Sequence, residues 1–428
     1  MKRSFAALTF MAAALQVGSA LAGTTAITHA RIHTLSGAGT LEDATLLIRD
    51  DRIEAIGATV AIPPEAKVID AKGRVISPPL FDAYTHLGLD EIDGVDETLD
   101  QQTDNPRYSA ALDVVDGLNP RSVLLPVNRI EGLLYAMAAP ASGGAGPLIA
   151  GQGAVISLGT LQSLVAKPQA AMFVALGEAG AARNKGGRPA LMLALREALA
   201  EARLAGSSSP VQRPALLGAL DAEALKPVLA GEMPLVASVN RAADIRVLLK
   251  LAEANGIKLI IRGGAEAHLV AAELAAQQVP VILDPQLNLP ERFESLNQRS
   301  EAAAILHQAG VRIAFSGEGP NTGSHNSRNI RQLAGNAVAS GLPWTAALAA
   351  VTLNPAAIYG LDGTLGSLEV GKQASFVVWD GDPLEVTSAA VQVFAAGQAV
   401  PMKSRQTELR DRYAARRAAK PAPSAAKP

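Results

Sequence analysis

Cysteine is absent from the 428 residues. No disulfide can staple the fold and no lipid can be attached through a thiol, so the hydrophobic core has to hold the chain together. The length, with 49% hydrophobic residues, allows such a core as one large α/β domain or two domains. Aromatic residues are scarce, 4% of the total, while alanine and glycine are abundant, which suits close packing of helices on a sheet. Excess charge is lacking too. The formal net charge is -2, and no basic stretch is interleaved with aromatics, so no nucleic-acid footprint is present. Beyond the N-terminus, apolar runs are broken by glycine, proline or charge, and no transmembrane helix is expected. Gly-x-Ser-x-Gly is absent and no Ser/His/Asp set is persuasively spaced. The glycines of residues 146–156 lack the Gly-Lys-Ser/Thr of a phosphate loop.

The first 22 residues read as an export signal. Lys2 and Arg3 give a charged start, residues 5–17 an apolar centre, and Ala20-Leu21-Ala22 a small-x-small cleavage site. The apolar centre is short of the roughly 20 residues needed to span a bilayer. The sequence therefore predicts an exported, periplasmic protein with no stable membrane anchor.

Residues 26–34, 45–49, 52–56 and 67–69 read as short strands, the middle two joined by an Asp50-Asp51 hairpin turn. After an acidic loop over residues 90–107, strands alternate with helices. Strands are expected at 132–138, 154–158, 172–176, 234–239, 258–261, 279–283 and 311–315. Helices are expected at 189–205, 242–255, 266–277, 300–309, 329–340 and 343–352, the first broken by Ser207-Ser208-Ser209-Pro210. This alternation predicts βα units on a parallel sheet, enough for a TIM-type (β/α)8 barrel over residues 77–363. Short strands return at 375–379, 391–395 and 398–401. Residues 23–76 plus 364–402 are expected to form a composite β-sandwich. Residues 403–428 make a helical to disordered basic tail, with disorder expected from Ala414.

Two stretches carry polar groups that the barrel would place at its C-terminal mouth. In Tyr84-Thr85-His86 the outer two side chains share a strand face. Residues 316–328 gather Glu318, His325 and Arg328 in a Gly/Asn/Ser-rich loop after the last strand, where Arg328 is suited to a substrate carboxylate. His268 and Glu266 do not face each other on a helix. His307 suits a helix C-terminus. His29 and His33 belong to the small β domain.

The string from Val68 to His86, ending Asp82-Ala83-Tyr84-Thr85-His86, resembles the start of the barrel in the amidohydrolase superfamily, in particular its imidazolonepropionase-like branch. Residues 356–361 and 366–378 resemble that family's return into the sandwich. The resemblance implies one or two divalent metals at the barrel mouth, activating water and polarising the scissile carbonyl. It also implies histidine at the positions of Tyr84, of Ser238 and Asn240, and near Gly263, and an aspartate where Glu318 stands, or Gly317 if the register slips by one. What is left for a metal is His86, Glu178 and Glu318, against the roughly three protein ligands that zinc requires. One divalent metal such as zinc, or none, is the resulting expectation.

The sequence thus predicts a hydrolase of non-peptide C–N bonds in a small molecule, with Glu318 and His86 catalytic and Tyr84, Asn240, His325 and Arg328 binding substrate. A catalytically inactive relative acting as a binding or partner subunit stays open. So does the choice between a homo-oligomer and a pairing with an active paralogue.

Overall fold

The computed structural model describes residues 23–418 except 93, 143–145, 160–163, 184, 206–215, 286–291 and 318–322. The export signal, the Ser207–Pro210 helix break, Glu318 and the tail beyond 418 lie outside the described residues. Among the described residues no helix is long and apolar enough to cross a membrane.

Eight strands form the central sheet, in the order Leu80–Thr85, Leu133–Ala138, Ile149–Ser157, Val165–Ala175, Leu235–Val239, Leu259–Gly263, Val281–Leu283 and Ile313–Phe315. The sheet curls until its ends nearly meet. Ser316 Oγ donates to the Tyr84 carbonyl at 2.7 Å and Gly317 N–H to Asp82 Oδ2 at 3.4 Å, so side chains close the barrel where no ladder does. From residue 165 onward the neighbours are parallel. Helices such as Ala242–Asn255 cover the outside, that one ending at Gly256 in the left-handed conformation (φ 66°).

The expectation of an all-parallel barrel fails at one place. Ile149–Ser157 runs antiparallel to both Leu133–Ala138 and Val165–Ala175. Only seven residues separate it from the next strand, too few for a helical crossover, and a connection that short can join only antiparallel strands. Both strands also extend beyond the segments 154–158 and 172–176 expected from sequence. The expected helix over 266–277 is split into a 3-10 turn, Ala267–Val270, and a short helix, Ala271–Ala276.

The second sheet joins both ends of the chain. Val75–Ser77 lies between Thr24–His33 and Phe376–Trp379, pairing antiparallel with the latter. The Asp50-Asp51 hairpin is present, with Arg49 opposite Arg52 and Asp50 left-handed (φ 58°). Residues 51–53 bond with 372–374, so the sheet folds back over a core that includes Ile32, Leu46, Ile76 and Phe376. Trp379 fixes this layer to the barrel. Its indole N–H donates to Ser77 Oγ at 2.9 Å, and its ring lies where a Cβ at Gly132 would come within 2.6 Å. The helix Arg405–Ala418 continues past Ala414, where disorder was expected. Its alanines, arginines and glutamate are strong helix formers even without an apolar period.

Candidate active site

The first barrel strand, Leu80–Thr85, is buried throughout and brings Tyr84 and then His86 to the C-terminal mouth. An extra residue bulges from this strand between Asp82 and Thr85, a device that re-aims side chains beside sites. Asp82, fully buried, braces the bulge by accepting the Tyr84 N–H at 3.1 Å. The expected pairing of Tyr84 with His86 is realised: the rings meet edge-on at 5.3 Å. Phe173 touches Tyr84 from another side at 5.7 Å.

Arg262, at the end of Leu259–Gly263, covers the face of Tyr84, its guanidinium carbon 3.6 Å from the ring centroid. Such a cation–π contact is worth up to about 2 kcal/mol when desolvated. Arg262 Nη1 also donates to Ser238 Oγ at 3.4 Å. His86 donates through Nδ1 to the Ala139 carbonyl at 2.8 Å. A carbonyl can only accept, so Nε2 is the basic nitrogen of the neutral ring.

Asn240, just past Leu235–Val239, donates from Nδ2 to Glu294 Oε1 at 2.8 Å and accepts the Ala265 N–H at 3.3 Å. Gly263 (φ 89°) leaves room for this amide; a Cβ there would lie 2.7 Å from Asn240 Oδ1. Glu294 is 2% exposed. Its Oε2 accepts the Glu178 N–H at 2.7 Å and Arg188 Nη2 at 3.3 Å, while Arg188 Nε bonds Asp244 at 2.8 Å.

These groups border a cavity of about 230 Å³ lined by Tyr84, Asn240, Arg262 and Glu294, and also by Ser142, Arg183 and Arg292. Burial lowers the Arg183 pKa from its ordinary value, with Tyr84 opposing and Arg292 adding to the shift. Sequence reasoning missed Arg183, Arg292, Glu294 and Ser142. Arg262 was not among the expected site residues, although a charged residue at a strand end beside two glycines is a usable signal.

The expected residues separate into groups. Tyr84 and Asn240 line the cavity, and His86 adjoins it through Tyr84. Glu178 begins the helix Gly177–Arg183 and reaches the cluster through its backbone; its carboxylate does not line this cavity. His325 and Arg328 lie on the turn Ser324–Asn329 and do not line it either. That turn is held by a Ser327 Oγ–Thr85 Oγ1 bond of 2.8 Å and by Arg328 N–H to Asn128 Oδ1 at 2.7 Å.

The amidohydrolase family model matches residues 236–403. An amidohydrolase from Thermotoga maritima superposes with a TM-score of 0.78 at 25% identity, over 89% of this chain and all of that one. The imidazolonepropionase of Sphingopyxis alaskensis is 25% identical over 84% of this chain and 92% of its own length. The matches identify residues 236–403 with the amidohydrolase family and, with the fold, support the amidohydrolase superfamily, imidazolonepropionase-like branch, for this chain. Another relative, the amidohydrolase tasK of Hapsidospora irregularis, is 26% identical over 79% of this chain, which spans 37% of that protein's length.

Amidohydrolases as a family act on C–N bonds, generally with divalent metals. The described donors of this chain do not fit such an ion. No group of three or more His, Cys, Asp or Glu among the described residues is placed to hold one. The space over Tyr84 is taken by a guanidinium, and two further arginines line the cavity. A divalent cation there would meet like charge rather than carboxylate or imidazole.

Proposed function

We propose that this amidohydrolase cleaves a non-peptide C–N bond of a small amide at the Tyr84–His86–Arg262 cluster, without a fully liganded metal centre. The observation that carries the reading is the Arg262 guanidinium fixed on Tyr84 at 3.6 Å, beside a histidine whose Nδ1 is committed to a carbonyl. In this reading His86 Nε2 takes a proton from water, and the resulting hydroxide adds to the amide carbonyl carbon. The negative charge that develops on the carbonyl oxygen lies against Arg262, already oriented and partly dehydrated. The C–N bond then breaks as the proton passes from His86 to the leaving nitrogen. Glu318, expected from sequence to be catalytic, lies outside the described residues.

The relatives' name, imidazolonepropionase, joins an imidazolone to a propionate. A ring amide of this kind is the substrate class put forward for this chain. Action outside the cytoplasm, in the periplasm, is part of the same reading and rests on residues 1–22.

The test is turnover of imidazolones, lactams and simple amides by the purified chain. His86→Ala is expected to lower kcat by about 10²- to 10⁴-fold, and Arg262→Gln by about 10²- to 10³-fold. Full kcat in His86→Ala, or no hydrolysis of any of these classes by the wild type, would overturn the reading.

A further inference from the structure

A separate cavity of about 630 Å³ opens at the N-terminal end of the barrel, opposite the Tyr84 site. It lies where the strands Leu235–Val239 and Leu259–Gly263 begin and where the helix Ala242–Asn255 ends. Lys167 and Lys258 line it, and so do Glu232 and Glu253. Among the described residues none of these four side chains is in an ion pair. Lys167 Nζ donates to the Tyr359 carbonyl at 2.7 Å, just past the helix Leu353–Ile358. That bond holds a half-buried ammonium on the cavity wall. Burial lowers its pKa from the ordinary value and Lys258 adds to the shift, so the two ammonium groups are near enough to act on each other. An anion between such like charges stabilises both.

The opposite sign is present in the same space. Besides Glu232 and Glu253, the carbonyl end of the helix Ala242–Asn255, closed by Gly256, contributes partial negative charge. Buried Leu259 and Val279 make part of the wall apolar. No histidine, serine or aspartate is among the described lining residues, so the groups there suit binding rather than hydrolysis. The volume falls within the roughly 300–1,000 Å³ usual for small-molecule sites. We infer that this cavity binds a zwitterionic amino acid with an aliphatic side chain. Its carboxylate lies between Lys167 and Lys258, its ammonium faces Glu232 and Glu253, and its side chain rests on Leu259 and Val279. A dianion such as phosphate would meet the two glutamates, and a simple amine the two lysines.

The test is calorimetric titration of the full chain in low-salt buffer. The probes are leucine, isocaproate, which lacks the ammonium, isoamylamine, which lacks the carboxylate, and inorganic phosphate. Leucine is expected to bind with a dissociation constant of about 1 mM or tighter, and the other three about tenfold or more weakly. Lys258→Gln and Glu232→Gln change exposed residues and are each expected to weaken leucine binding about tenfold. Lys167→Gln is expected to do the same, and the two exposed variants carry the test if it fails to fold. Arg262→Gln, at the other end of the barrel, is expected to leave leucine binding unchanged. Weaker binding in that variant would place the ligand at the mouth and overturn the proposal. So would an absence of leucine binding by the wild type, isocaproate, isoamylamine or phosphate binding as tightly as leucine, or leucine binding that the folded lysine and glutamate variants leave unchanged.

Discussion

Glu294 ties together three parts of the chain that are far apart in sequence. Its carboxylate bonds Asn240, Arg188 and the amide of Glu178, which are 54, 106 and 116 residues away. Gly177 (φ 74°) lets the carboxylate approach, since a Cβ there would lie 2.7 Å from Oε2. Removing one partner of a buried ion pair typically costs about 3–5 kcal/mol, because the remaining groups keep their desolvation penalty. Glu294→Ala is expected to lose stability on that scale in urea unfolding, and Glu294→Gln, which keeps one acceptor for Asn240, to lose less. A loss below about 0.5 kcal/mol for the alanine variant, typical of a surface site, would contradict this role. Nothing local marks Glu294 in the sequence. Its partners come from other strands, and no periodicity or motif encodes that meeting.

Elements whose cause is local were legible. The Asp50-Asp51 hairpin follows from two acidic turn residues between apolar runs, and the structure pairs Arg49 with Arg52 as that turn requires. The hairpin of Ile149–Ser157 with Val165–Ala175 was not legible over its full length. Its outer ends carry Gly151, Gly153 and Pro168, residues of low strand propensity, and cross-strand pairing overrides them. The joint between sheet and barrel also depends on distant partners. His33 of Thr24–His33 packs at a tilt against Trp344 with centroids 4.5 Å apart and meets Thr40 Oγ1 at 2.9 Å. Burial lowers its pKa from 6.5, Arg31 adds to the shift, and Asp382 and Glu42 oppose it. The folded state therefore binds this proton less readily than the unfolded chain. The stabilisation is complete above about pH 6.5 and is lost as pH falls from there toward the lower folded value. His268 is shifted the same way. Thermal unfolding between pH 7.5 and 5.5 is expected to show a falling Tm on acidification, with a shallower slope in His33→Gln. An unchanged slope in that variant would contradict the assignment.

At the scale of the whole molecule, two long strings at the ends of the barrel were enough to recognise the architecture. They lie where the chain passes between barrel and sheet, and Trp379, Ser77 and Gly132 meet at that seam. The site was only partly legible. Tyr84, His86 and Asn240 were expected there because they stand at or just past the ends of strands whose positions were readable. Arg183 and Arg292 sit on a helix end and a loop, where strand periodicity gives no guidance. What the fold assembles at its mouth is a cluster of guanidiniums around a tyrosine, with one histidine beside it. We propose that C–N hydrolysis proceeds there on Arg262 and His86 without a fully liganded metal. The most direct test measures kcat/KM on a carboxylate-bearing cyclic amide before and after exhaustive chelation, and again after adding zinc. Hydrolysis is expected to stay within about twofold after chelation and not to rise with zinc. Activity abolished by the chelator and restored by zinc would contradict it.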